Sequence, residues 1–482
     1  MYLVINLGLK SIRGIIFNDN GKNLYSKSFN VKTYIKNSYV EQDPNEYKIY
    51  LEKIIKDLNQ KKFIKKIRYI STTTSASCLL LMSKKGNLLS KTLMVLDSRT
   101  KGYAKKLNNK INKNNFDIDD QALKILWFQK NSLYKNRSKY VLNSGDYLNY
   151  LFTKKIITDR LNYKKIYNSK YKIIEKLSKT KLSKNILFPK PLEIGSILEI
   201  DKFLIKKYNF NKNTKFILTT YDAICATIGS TNSAIPFHNI SEVSGTVTSV
   251  RLITNKLPKI KNKKLKISPI PFLNIYIVGT SNNLGGGMIG WIKDFFLNKI
   301  NFKTIEIYFK KAQNSFIILP FIFGDRYLGI DPSNGASLFG IKRNTTIHDF
   351  IRSCILSMGF MSQRYIDDLS SEGFKIKSIT LSGGLSRLSF INKIKAYIFK
   401  KNTYVCKEFE STSYGCFLLM KAKIKNVEFK ELIKIIYKKK IIIKDKKNFD
   451  YEYQIFKNTL KNFIKSKNKI NKNQNNNLEV YL

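Results

Sequence analysis

Residues 2–17, YLVINLGLKSIRGIIF, and residues 242–253, EVSGTVTSVRLI, are written on one plan. Each is an apolar run, a short turn containing glycine, and a second apolar run. That pattern predicts two β-strands joined by a tight hairpin. After the first hairpin, DNGK at 19–22 marks another turn before NLYSKSFNV, so the chain opens as an antiparallel meander. A meander followed by helix–strand alternation predicts a mixed-sheet α/β domain. The second hairpin restarts the pattern, which predicts two such domains facing each other, with the boundary near Phe237–Glu242.

The segments between and after the hairpins fit this plan. PNEYKIYLEKIIKDLNQ (44–60) spaces its apolar residues for a helix, with Asp43 and Pro44 as cap and first turn. IRYISTTTSASCLLLM (67–82) reads as strand, Thr/Ser-rich break and strand. Residues 116–210 read as mainly helical. KFILTTYDAICATIGS (215–230) returns to strand, loop and helix, and KSITLSGGLSRLSFINKIKAYIF (377–399) to strand, Gly-Gly turn and helix. Beyond Lys421 the chain becomes rich in Lys, Ile and Asn, and KSKNKINKNQNNN (465–477) has the composition of a disordered tail.

Composition excludes several chemistries. A chain of 482 residues with 43% hydrophobic residues can build more than one core. The apolar runs fall short of the ~20 residues that a membrane helix needs, and the amino terminus lacks the charge-first order of a signal peptide. Five scattered cysteines without a CxxC pair argue against a disulfide framework or zinc site and fit a reducing cytoplasm. Two histidines make a His-based triad or metal cluster a poor reading. The formal net charge of +53 raises a nucleic-acid partner. Lys, Asn, Ile and Tyr are abundant everywhere, however, as an A/T-rich coding sequence would produce. No discrete basic recognition element stands out, so nucleic acid is disfavoured.

Ordered motifs over most of the chain, to about Ala422, resemble the FGGY carbohydrate kinases. INLGLKSIRGIIFNDNG follows the family's strand, DxGT turn and strand. VEQDPNEY (40–47) resembles its EQDP-x-x-W segment, LMVLDSRT (93–100) its W-x-D-x-R stretch, and NSGDYLNYLFTKKIITD (143–159) its D-Y-L…D passage. YDAICATIGS (221–230) is similar to the catalytic G-x-x-D-x-x-A-A-x-x-G turn, and SGTVTSV (244–250) to the second phosphate hairpin. SGGLSRLSFINKIKAYIF with STSYGCFLLMKA resembles the adenosine-site helix and closing helix. TTTSASC (72–78) and GTSNNLGGGMIGW (279–291) look most like the ribulose kinase or xylulokinase-like branch.

The resemblance implies two actin-like lobes of the ribonuclease H fold around a central cleft: residues 1–238 for the sugar, 239–425 for the nucleotide, and a partly disordered extension over 426–482. It implies transfer from ATP, with Mg²⁺, to a hydroxyl of a sugar or polyol, a ketopentose such as ribulose or xylulose being favoured. Asp222 becomes the base that takes the hydroxyl proton; the alternative for such a residue is a helix N-cap. Gly8, Lys10, Gly245 and Thr246 fall on the phosphates, and Gly383 and Gly384 on the adenosine. Ser75, Asp97 and Arg99 fall on the sugar side, where Asp97 and Arg99 could equally form a structural ion pair. Asn6 stands where the family has Asp and touches the metal through water, Leu9 replaces its Thr, and Val95 replaces the Trp of W-x-D-x-R. Asn6 and Leu9 motivate a second reading, a homologue that binds nucleotide or sugar without turnover, while Val95 loosens the inference of substrate. A homodimer is left open.

Overall fold

The first strand, Tyr2–Leu7, is buried throughout, apolar except for Asn6, as a central strand of a sheet covered on both faces should be. In the computed structural model the described residues are all except 112–115, 118–119, 132–138, 232–233, 246, 296–300, 326, 331–333, 407–409, 434–437, 441–447 and 479–482. The chain forms two compact units. The first comprises Met1–Gly229, Ser268–Tyr276 and Glu410–Ile436; the second comprises Ser230–Ile267, Ile277–Phe409 and Tyr437–Leu482.

In the first unit, Tyr2–Leu7 and Ser11–Phe17 form the expected antiparallel hairpin, with Ile5 opposite Gly14 and Asn6 opposite Arg13. Asn23–Asn30 extends it on the far side. Tyr69–Thr74 runs parallel to Tyr2–Leu7 on the other flank, placing Asn6 beside Thr73. Lys215–Ile217 then adds parallel to Tyr69–Thr74. The order is therefore third, second and first strand of the meander, then the two parallel strands, with Ile197–Glu199 closing the edge. The helix Pro44–Gln60 covers this sheet, burying Tyr47, Leu51, Ile54, Ile55 and Leu58. Asp43 caps it, its carboxylate accepting from the Asn45 N–H. A second sheet over Thr33–Leu187 includes Leu79–Ser83 and Lys139–Asn143, paired antiparallel.

The second unit repeats the central part of this order. Ile275–Asn282, Thr248–Thr254, Asn239–Ser244, Ser378–Ser382 and Asn402–Cys406 lie side by side, the second and third as a hairpin and the last three mutually parallel. The long helix Ile347–Ser371 lies in its core, burying Ile351, Leu356, Phe360 and Tyr365 among others. The helix Asp450–Leu478 packs Tyr453, Phe456 and Leu460 into the same core. The structure continues that helix through the stretch whose composition reads as a tail, because an apolar face at helical spacing precedes it. Among the described residues no helix is long and apolar enough to cross a membrane.

Candidate active site

Parallel strands in an open α/β sheet deliver their loops to one end, where ligands characteristically bind. In the first unit Tyr2–Leu7, Tyr69–Thr74 and Lys215–Ile217 all end there. Register makes the alignment tight: the Ser75 N–H donates to the Leu7 carbonyl at 3.1 Å. The Thr73 hydroxyl donates to the Thr220 carbonyl at 2.9 Å, tying the second strand to the loop before Asp222. Ser71 and Thr219 share a buried hydroxyl contact at 2.8 Å. The Thr/Ser-rich run that breaks the apolar pattern in the sequence is thus a set of hydroxyls stitching adjacent strand ends.

Asp222 opens the helix Asp222–Ser230. Its Oδ2 accepts from the Ser75 hydroxyl at 3.0 Å, and its Oδ1 accepts from the Ala223 N–H at 2.7 Å. The carboxylate is partly exposed and oriented from two sides. A general base requires a carboxylate fixed in this way and within reach of substrate. Lys165 lies 3.5 Å from the ring centroid of the adjacent Tyr221, bringing a cation to the same loop. The helix is seated by glycine. A Cβ on Gly415 would lie 1.7 Å from the Cys225 carbonyl oxygen, and one on Gly229 would lie 2.0 Å from that of Ser411. The helices Asp222–Ser230 and Ser411–Lys425 therefore meet backbone to backbone at these glycines.

The first glycine turn closes on itself, the Gly8 N–H donating to the Ser11 carbonyl at 2.9 Å. Gln42, fully buried, steadies it: its Nε2 donates to the Leu9 carbonyl at 2.8 Å while its Oε1 accepts from the Tyr47 hydroxyl at 2.7 Å. The EQDP segment is thus a prop for the turn. Lys10 is exposed on the turn. Asn6 is buried just below, and its Nδ2 donates to the Ser413 hydroxyl at 3.0 Å. Arg13, opposite Asn6 in the hairpin, holds both carboxylate oxygens of Glu410. The one ligand-type atom Asn6 presents is a neutral carbonyl oxygen. Among the described residues no group of three or more His, Cys, Asp or Glu could hold a metal ion. The donor set therefore fits Mg²⁺ only as an ion brought by phosphates and touched through water.

Asp97 and Arg99 sit away from these strand ends in hydrogen-bonding terms. Asp97 is fully buried; its carboxylate accepts from the Val40 N–H at 2.8 Å and from Arg99 at 2.7 and 2.8 Å. Arg99 also donates to Glu41 at 2.6 Å, and its guanidinium lies 3.9 Å from the Tyr39 ring centroid and 4.5 Å from that of Trp127. Burial works against the guanidinium, but these carboxylates outweigh it and its pKa is raised. This is the geometry of the structural ion pair that the spacing left open.

In the second unit, the Gly245 N–H donates to the Val247 carbonyl at 2.9 Å, and the Gly245 carbonyl accepts from the Gly286 N–H at 2.6 Å. Thr246 lies outside the described residues. Gly383 has φ +84°, and a Cβ there would lie 2.6 Å from the Ser244 carbonyl oxygen, so the two glycine turns touch through backbone. Gly384 has nothing within 4 Å of its would-be Cβ, leaving room for a ligand to approach. Beneath them Glu242 and Lys395 form a buried ion pair at 2.5 Å. Sequence reading missed it: the partners are 153 residues apart, and a lysine on a helix gives no sign of pointing inward.

The comparisons with known proteins agree with this layout. The N-terminal domain of the FGGY family of carbohydrate kinases matches residues 1–172, and its C-terminal domain matches residues 242–422. The glycerol kinase of Aquifex aeolicus is 24% identical over 424 residues, 82% of this chain and 84% of that one. The gluconokinase of Bacillus licheniformis is 21% identical over 459 residues, 86% of each. Among solved structures, a ligand-bound xylulose kinase from Lactobacillus acidophilus superposes with a TM-score of 0.81 at 19% identity, covering 98% of both chains. The glycerol kinase of Plasmodium falciparum with ADP gives 0.75 at 19% identity over 97% of this chain and 98% of that one. With both family domains matched in order along one chain, the protein belongs to the FGGY family of carbohydrate kinases, phosphotransferases that act on sugars and polyols.

Proposed function

We propose that the chain transfers the γ-phosphoryl group of ATP to a hydroxyl of a ketopentose or closely related polyol, with Asp222 as the general base. The observation that carries this reading is the doubly oriented Asp222 carboxylate at the strand ends, held by Ser75 and the Ala223 N–H. Phosphoryl transfer asks the protein for positioning and charge neutralisation more than for covalent chemistry. Asp222 would accept the hydroxyl proton as the oxygen attacks, and the Ser75 hydroxyl would keep its Oδ2 aimed. The short hydroxyls at the strand ends suit an uncharged polyol. Gly8, Lys10 and Gly245 are the residues proposed for phosphate contact. Gly383 and Gly384 would meet the adenosine. Mg²⁺ would supply charge neutralisation on the phosphates, with the Asn6 carbonyl oxygen reaching it through water.

The substitution of Asn for Asp at position 6 supports a second reading, in which nucleotide or sugar binds without turnover. The Asn6 amide is already committed to Ser413, so the site is built around a neutral group there. A panel of ribulose, xylulose, glycerol and gluconate scored by sugar-dependent ADP release separates the two. The kinase reading expects release with at least one sugar, strongest with a ketopentose. Release with none, while ADP still binds, would establish the binding homologue.

A further inference from the structure

The Glu242–Lys395 pair is the most committed charge pair in the second unit, with side chains only 1% and 5% exposed. Such a pair is weak evidence for stability, because well-packed apolar residues often serve the fold as well. Its connections say more. Lys395 Nζ also donates to the Ser244 hydroxyl at 2.9 Å, and Ser244 is the last strand residue before Gly245. The Ser244 hydroxyl contacts Glu242 at 3.0 Å and the Thr248 hydroxyl at 3.0 Å. Ser244 and Thr248 are cross-strand partners, so the contact pins both strands where the turn begins and ends. Ser362, on the long core helix, donates to the same Glu242 oxygen at 3.2 Å. Lys395 itself lies on the helix Ser389–Phe399, which follows the Gly383–Gly384 turn. Gly383 in turn rests against the Ser244 backbone.

One ammonium therefore joins the helix behind one glycine turn to the strand end that carries the other. We propose that Lys395 and Glu242 are positioning residues that set the spacing between the adenosine-binding and phosphate-binding turns, so that this unit selects nucleoside di- and triphosphates over the bare nucleoside. The inference rests on the nucleotide assignment made above. A merely structural pair would affect every ligand of the unit alike, whereas a spacing device acts only on ligands that bridge both turns.

The test is calorimetric titration of ADP and of adenosine into the full-length wild type and into a variant carrying both Glu242→Leu and Lys395→Met. Removing both partners avoids stranding a buried charge. The expected result is a thermal midpoint near that of wild type, an ADP Kd raised about tenfold, and an adenosine Kd changed by less than about twofold. Unchanged ADP affinity, or equal weakening of ADP and adenosine, would overturn the proposal while leaving the nucleotide site standing. A wild type that binds neither ligand would overturn the nucleotide assignment and the proposal together. If the double variant does not fold, Ser244→Ala decides, since it removes the link to the turn and leaves the ion pair in place. The same selective loss of ADP supports the proposal, and its absence overturns it.

Discussion

The two units use the same hairpin-led sheet but secure their functional ends by different means. In the first, the helix carrying Asp222 is seated by bare backbone contact at Gly229 and Gly415. In the second, the glycine turns are seated by a buried ion pair and its hydroxyl partners. Buried carboxylates meet cations in both units, Asp97 with Arg99 in the first and Glu242 with Lys395 in the second. Glu242 has an ammonium at 2.5 Å. Asp146, buried in the first unit, has the Asn143 N–H at 2.8 Å, and burial pushes its pKa up to about 7. The difference teaches that a shared topology fixes where loops emerge, while local packing decides how firmly each is held and with what charge.

The largest effect expected from breaking this comparison is at the backbone contact. Gly415→Val drives a side chain into the Cys225 carbonyl, and overpacking with no room to yield should cost more than about 4 kcal/mol. Thermal denaturation should show a collapse of the folded fraction, with loss of turnover following from it. A fully folded Gly415→Val would mean that the helices can separate freely. In the second unit, Gly383→Ala should cost roughly 1–3 kcal/mol, because φ is +84° and the Ser244 carbonyl is in the way. Gly384→Ala, facing open space, should leave the thermal midpoint alone, while Gly384→Trp should raise the ATP KM and spare the sugar KM. Equal damage to both constants would make that turn structural.

Asp146 sharpens the comparison through pH. Its folded pKa of about 7 lies well above the ordinary aspartate value of about 3.9, so it favours folding fully below about pH 4. That contribution is lost as the pH rises toward 7, because the unfolded carboxyl ionises more easily. Asp146→Asn should flatten the stability profile between about pH 4 and 7, measured by urea midpoints. A parallel curve for the variant would assign the pH dependence to other groups.

Asn6→Asp is the smallest effect. It restores a carboxylate beneath the first turn, and the Ser413 hydroxyl can rotate to donate to it. A tenfold gain in kcat, or an equivalent tightening of Mg²⁺ dependence, corresponds to ~1.4 kcal/mol. A loss of activity would show that Lys10 and a neutral Asn6 form a working phosphate site of their own.

Both hairpins, the capped helix after Asp43 and the strand–turn–helix at Gly383 were legible in the sequence, because alternation, caps and glycine act over a few residues. The family motifs placed Asp222 at a helix start. What was not legible depended on contacts between distant segments. The Ser75–Asp222 bond spans 147 residues, and the Gly415–Cys225 contact joins a closing helix to the one that Asp222 opens. The Asp97–Arg99 spacing was ambiguous because an acid and a base two residues apart look alike whether they face substrate or core. The structure shows Asp97 fully buried and the Arg99 guanidinium against the Tyr39 and Trp127 rings. Ahead of the stretch that reads as a tail, residues 465–477, Tyr453, Phe456 and Leu460 anchor the last helix in the second core.

The central claim is that Asp222 takes the proton of the attacking sugar hydroxyl. Its most direct test is sugar-dependent ADP release by Asp222→Asn, beside calorimetric binding of ATP and the same sugar. A neutral amide keeps the shape and cannot accept the proton. The account expects turnover to fall by on the order of 10²–10⁴ with both ligands still bound near their wild-type affinities. Wild-type turnover in Asp222→Asn would contradict it, and would leave the carboxylate as a structural partner of Ser75 at the start of its helix and nothing more.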